Sequence, residues 1–281
     1  MPRSSPTAAI LGAVDVTEYV SARPHPALAR HVLGYVGYRE HSTTPVRRRQ
    51  VPVGSCTLIL GFGPPLRLVG PAGPTVPVSF LAGMHDAAVV TEFTGAQHGV
   101  QVDLSPLGVF ALLGRPMPEL TNLVPDVDEL AVPQLGALAE RLGADPGWPQ
   151  RFARIDATLL RLLDGSRTRP DPEVAHAWLR LRRTAGAVGV HRLADETGWS
   201  RRHLLTRFRA QVGLTPKQAG RVLRFERAAE LLVPRAGHPA APALTVSDIA
   251  ATCGYADHAH LVREFHALAG CTPTQYRAGT V

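Results

Sequence analysis

The second half of the chain repeats itself, and that constrains the fold more than any other feature. Ala194-x3-Gly198-Trp199 returns 56 residues later as Ala250-x3-Gly254-Tyr255. Phe208-x4-Gly213-x-Thr215-Pro216 returns 57 residues later as Phe265-x4-Gly270-x-Thr272-Pro273. The one-residue slip falls in a turn, where insertions cost little. Two copies are too few for a solenoid, which needs at least three. The repeat is therefore a duplicated supersecondary unit.

Each copy has the grammar of a helix-turn-helix. Leu193, Ala194 and Thr197 share one face of a short helix, and small Ala194 lets the next helix cross closely. Gly198 supplies the left-handed residue that ends it. Ser200 is a natural N-cap for a second helix. There Leu204, Leu205 and Phe208 have helical spacing and point inward, while Arg201, Arg202, Thr206 and Arg209 point outward. Gly213 stops that helix, and Thr215-Pro216 starts the next as N-cap and first residue. In the second copy Ser247 is the expected cap of Asp248–Cys253, and Gly254 makes the turn. Asp257 caps a helix carrying Leu261, Val262 and Phe265, Gly270 ends it, and Thr272-Pro273 opens a last short helix. A hairpin of this kind can also pack without touching nucleic acid.

Charge follows the repeat. The formal net charge is +7, which invites a polyanion, either nucleic acid or an anionic membrane surface. Residues 1–169 hold 15 Arg against 14 Asp and Glu. Residues 170–281 hold 14 Arg and Lys217 against 9 acidic residues, a net of +6. The basic excess thus lies where the repeat lies.

The residues Ile249-Ala250-x2-Cys253-Gly254-Tyr255-x-Asp257-x2-His260-Leu261-x-Arg263-x-Phe265-x4-Gly270-x-Thr272-Pro273-x2-Tyr276-Arg277 resemble the signature of AraC/XylS-type transcription regulators. The resemblance covers about the last 110 residues. It implies two helix-turn-helix subdomains, about 190–213 and about 246–270, joined by a long helix from Pro216 to about Val233. Each subdomain would place a recognition helix in the major groove. It also implies the base-facing residues: Arg202, Leu205 and Thr206, with Arg201 nearby, and then His258, Ala259 and Arg263. Arg202 and Arg263 are the direct readers expected, because a guanidinium bonds guanine O6 and N7 together. Arg201, Arg209 and the amides at the helix N-termini are expected on phosphates. Two departures stand out. Thr206 occupies a position where many relatives carry arginine, so the first subdomain would read fewer bases. Pro234–Pro242 is longer than the usual connection and reads as a surface loop.

The first half reads as strands followed by helices. Cys56–Phe62 and Leu66–Val69 read as a β-hairpin around Gly63-Pro64-Pro65. Val76–Leu81, Ala88–Phe93 and Gly99–Leu104 read as further strands, the last two separated by Thr94-Gly95-Ala96-Gln97. Ser105-Pro106 opens a helix, and two more are expected at about Val132–Leu142 and Trp148–Leu163. The fold class expected is α+β: a small N-terminal sheet or barrel with helices after it, then an all-α double helix-turn-helix domain. The divisions expected are 1–165 for an effector or dimerisation domain, 166–171 for a linker and 172–281 for DNA binding. The run Gly99–Gly108 through Leu112-Leu113-Gly114 resembles one subgroup of the N-terminal domains found in that family. The resemblance implies an unknown small-molecule effector, a homodimer, or both. Trp148–Leu163 is one dimerisation surface, or it packs on its own sheet.

Other classes fare worse. His25, His31, His41, His85 and His98 lack the paired spacing of a metal site, although His85-Asp86 and His98 could converge. Cys56 on an apolar strand reads as a small core residue rather than a nucleophile. Gly61-Phe-Gly63 lacks the helix start of a phosphate loop. No metal, cofactor or enzymatic activity is expected. An N-terminal enzymatic or metal-binding domain fused to a DNA-binding module remains the rival reading, as does an architectural DNA-binding protein that bends the duplex without ligand control. No stretch approaches the roughly 20 apolar residues of a membrane span, and Met1–Pro6 does not open a signal peptide. Three scattered cysteines build no disulfide framework. The expectation is a cytoplasmic regulator whose partner is double-stranded DNA, with RNA polymerase a further partner the family implies.

Overall fold

A computed structural model describes residues 15–233 and 244–279. The α+β plan is observed: an antiparallel sheet comes first, helices follow, and an all-helical region closes the chain. The strands are β1 (Val16–Ala22), β2 (Val32–Gln50), β3 (Cys56–Gly61), β4 (Arg67–Gly70), β5 (Gly73–Thr75), β6 (Phe80–Ala82) and β7 (Val89–Leu104). The sheet order is β1-β2-β7-β3-β6, with β4 between β7 and β5.

Three strand expectations are corrected. β3 and β4 do not form a hairpin, since β3 pairs with β6 and β7 while β4 pairs with β5 and β7. β7 is long enough to accept both on one side, at Gly99–Leu104 and Val90–Glu92. The strand expected at Val76–Leu81 is confined to Phe80–Ala82, and β5 lies upstream of it. Thr94–Gln97 is not a break: β7 runs straight through it, with Gly95 at φ +82° opposite an irregularity between Ser42 and Val46 of β2.

Alternation sorts the sheet into two faces. Cys56, Leu58 and Leu60 of β3 join Tyr35, Val100 and Val102 in the main core. That face is covered by α1 (Pro106–Leu113), α2 (Pro133–Ala144) and α3 (Trp148–Gly165). Ser105 caps α1 by accepting from the Gly108 amide. Along α3, Phe152, Ile155 and Leu159 are buried in the shared core, so this helix packs on its own sheet. Ile59, Leu68, Phe80 and Val89 form a small cluster on the other face. Nearby, Arg48 donates to Glu40 at 2.8 Å, sits 5.3 Å from the Phe93 ring centroid, and keeps Nε and Nη2 buried without partners among the described residues.

The linker residues are pinned. Ser166 donates to the Ala111 carbonyl at 2.6 Å, and Asp171 N–H donates to Gln211 at 2.8 Å. Asp171 is the N-cap residue of α4 (Pro172–Arg183), but its carboxylate makes no cap bond. It accepts instead from Arg207 at 2.7 and 2.9 Å and from Gln211 at 2.7 Å.

Candidate nucleic-acid interface

The duplicated unit folds as two helix pairs. The first comprises α5 (Val190–Thr197) and α6 (Arg201–Val212); the second comprises α8 (Val246–Thr252) and α9 (His258–Ala269). Between them runs α7 (Pro216–Leu232), and α10 (Pro273–Ala278) closes the chain. The turn glycines do what the spacing required: Gly198 sits at φ +70° and Gly254 at +72°. Ser200 accepts from the His203 amide, and Asp257 accepts from the His260 amide at 2.6 Å. Thr215 and Thr272 both form capping boxes with a glutamine three residues on. One cap is corrected. Thr245, not Ser247, caps α8, because Asp248 lies three residues after Thr245: its amide donates to the Thr245 hydroxyl at 3.1 Å and its carboxylate accepts from the Thr245 amide at 3.0 Å. The loop expected at Pro234–Pro242 lies outside the described residues.

Inward positions meet as the periodicity required, except one. Leu204 and Phe208 are buried in the first pair, and Leu261 and Phe265 in the second. Leu205 is 37% exposed, so it belongs to the outer face. Arg201, Arg202, Thr206 and Arg209 are exposed beside it on α6. His258, Ala259 and Arg263 are exposed on α9. The eight residues singled out from the sequence thus line the open faces of the two second helices. An exposed leucine amid guanidinium groups offers an apolar surface of the kind that meets a thymine methyl.

Neighbouring cations are committed elsewhere. Arg207 holds Asp171, and Arg221 of α7 donates to Glu264 of α9 at 2.7 Å. The Arg224 guanidinium lies 5.8 Å from the Tyr255 ring centroid, and Phe225 packs on Phe265 at 4.7 Å. These contacts fix α9 against the joining helix. His260 is also occupied, accepting from the Ala256 amide at 3.3 Å with its ring edge-on to Tyr255. On the first pair, Glu196 gathers Arg180, His176 and Arg192, and the Arg180 hydrogen bonds hold its carboxyl at about 2. Arg207 likewise draws the Asp171 carboxyl below its ordinary value, with Gln211 assisting.

The histidines of the first half have separate duties. His25 caps a short turn, His85 bonds the Gly83 carbonyl and His98 stacks on Phe62. Among the described residues, no group of three or more His, Cys, Asp or Glu could hold a metal ion. Cys56 is fully buried, and burial pushes its thiol up to about 12. No described helix is long and apolar enough to cross a membrane.

Sequence reasoning missed the contacts between the sheet region and both helix pairs. Gly213 of the first pair lies against Thr121 and Met117, and Gln218 of α7 donates to Asp86 at 3.3 Å. Arg49 reaches the Ala269 carbonyl at the end of α9. These contacts use loop carbonyls and isolated side chains that no linear motif marks.

Comparison with known proteins follows the same division. Residues 193–279 match a helix-turn-helix domain model, and residues 20–126 match a domain of unknown function, DUF6597. Among solved structures, ToxT from Vibrio cholerae aligns over 94% of this chain and 98% of its own, at 9% identity and a TM-score of 0.50. An unsaturated fatty acid-bound ToxT from the same organism aligns over 91% and 96%, at 11% identity and a TM-score of 0.48. The C-terminal domain of AraT, a response regulator from Geobacillus stearothermophilus, aligns over 40% of this chain and 88% of its own, at 23% identity and a TM-score of 0.34. A search of curated proteins returned no match. The first of these likenesses extends across both halves and supports the two-part fold.

Proposed function

We infer that this chain, which carries an AraC-type double helix-turn-helix domain at its C-terminal end, is a DNA-binding regulator of transcription. The observation that carries the reading is the pair of second helices, each bearing exposed polar and basic groups on its open face while its other face is buried. In this reading Arg202 and Arg263 contact guanine edges. Leu205, Thr206, His258 and Ala259 complete the readout, and Arg201 and Arg209 hold phosphates. Two reading helices one turn apart would span roughly 34–36 Å between half-sites. The division at 166–171, with a DNA-binding part at 172–281, belongs to the same proposal. So do a cytoplasmic location, the absence of enzymatic activity, and partnership with RNA polymerase or a second copy.

The N-terminal part would then modulate binding through a small molecule. What supports this is Arg48, whose buried Nε and Nη2 lack acceptors among the described residues. Buried donors of this kind cost free energy until an acceptor arrives, and a ligand oxygen could supply one.

Selection of bound duplexes from a randomised library by the full chain tests the regulator reading. A defined two-part consensus is expected. Arg263→Ala should then cost about 1–3 kcal/mol on that consensus and relax preference at one base pair. Equal weakening on every sequence would move Arg263 to the phosphates, and salt-insensitive or absent DNA binding would end the reading.

A further inference from the structure

We propose that Arg49 is a positioning residue for the second recognition helix. Its guanidinium caps the C-terminus of α9 from the sheet region, so the N-terminal part sets how the second reading head sits relative to the first. The proposal rests on the DNA-binding reading above.

Arg49 is the outward neighbour of Arg48 near the end of β2. Its Nη1 donates to the carbonyl of Ala269, the last residue of α9. The final four carbonyls of a helix have no partner within it, and a cation there meets the negative end of the helix dipole. Gly270, at φ +67°, follows directly. A Cβ added there would lie 3.0 Å from Arg49 Nη1, so the guanidinium rests against the helix end itself. Val51 packs against the second core, and the Gly54 amide donates to Glu226 of α7 at 3.1 Å. The stretch from Arg49 to Gly54 therefore holds both α9 and the helix that carries it.

The arrangement of the cores gives this contact its leverage. Leu204 and Phe208 of the first head share one continuous apolar cluster with Leu58 and Met117 of the N-terminal part. Phe265 of the second head belongs to a separate cluster, to which, among the described residues, the sheet region contributes Val51. The first head is thus built into the N-terminal part. The second is tied to it through α7, through the partly buried Val51, and through the Arg49 contact, which is polar and can be made or broken without opening an apolar core. A shift confined to the Arg49 end of β2 would reach the second head directly, whereas Tyr35 at the other end of the strand lies in the cluster shared with the first.

Two measurements on the full chain test this. In the free protein, hydrogen exchange should quicken in α9 on Arg49→Ala, by roughly twofold to tenfold, with α6 unchanged. On duplexes carrying the selected consensus with base pairs inserted between its halves, Arg49→Ala should flatten the spacing preference of the wild type. Binding to the first half-site alone should stay the same. Arg49→Lys, which keeps a cation and a donor, should recover both. Unchanged exchange in α9, an unchanged spacing preference, or equal loss in α6 and α9 would each overturn the proposal. A wild-type chain that binds no DNA would instead overturn the regulator reading, and the exchange experiment would still judge the contact.

Discussion

Gly186 offers a quantitative check on how the joining helix is held. It follows α4 at φ +77°, donates to the Leu181 carbonyl at 2.8 Å, and faces Gly220 of α7. A Cβ on Gly186 would lie 1.9 Å from the Gly220 carbonyl oxygen, so backbone must move. Gly198 and Gly254 share the left-handed conformation but have nothing within 4 Å of an added Cβ. The three glycines therefore separate two costs. Gly198→Ala and Gly254→Ala should each lose about 1–2 kcal/mol, the penalty for an L-residue in that region. Gly186→Ala should lose the same plus about 1–3 kcal/mol for forced displacement of packed backbone. Equilibrium urea denaturation of the three full-length variants, compared by midpoint and slope, reads the difference. If Gly186→Ala were no worse than the other two, the close approach of the α4 turn to α7 would not be what fixes that helix.

Further outcomes are expected. Arg201→Ala and Arg209→Ala should weaken binding uniformly across sequences, each lowering the slope of log affinity against log salt by about 0.9, read by titration at several ionic strengths. Glu196 has a carboxyl depressed from 4.5 to about 2, chiefly by Arg180. A depressed carboxyl stabilises the fold above its unfolded value and loses that contribution as pH falls through the folded one. The stability gap between wild type and Glu196→Gln should therefore be full above pH 4.5 and vanish toward about 2, as followed by denaturation across pH. Cys56, buried with its thiol raised, should resist alkylation at mildly alkaline pH until denaturant is added, as mass spectrometry would show.

The helical half was legible because its signals are local. Caps and left-handed glycines act within one turn, and the repeat states them twice, so Ser200, Gly213, Asp257 and Gly270 stand where the spacing put them. The misplaced cap at Ser247 shows the limit, because two hydroxyls lie within reach and only the partner at Asp248 decides between them. The sheet was legible in class but not in pairing. β2 runs 19 residues through Pro45 and three successive arginines, a pattern that looks like a charged loop. It is a strand because Glu40 answers Arg48 on one face while Arg47 meets Glu92 at 3.0 Å elsewhere. β3 and β4 look like a hairpin locally, and only the length of β7 separates them. The exposed residues of α6 and α9 could be named from the sequence; Arg49 could not, because its partner is a backbone carbonyl 220 residues away.

The two apolar clusters meet inside a single helix. Leu223 belongs to the first and Phe225 to the second, with Arg224 between them on α7. The seam for exchanging parts of this protein therefore lies there and not at the proline-punctuated segment before α4. A chimera joined at residues 166–171 would strip Phe208 and Val212 of the surface formed by Leu112 and Met117. One joined at Arg224 would carry each cluster across intact, leaving Arg49 and Val51 as the fittings that a new second head must match.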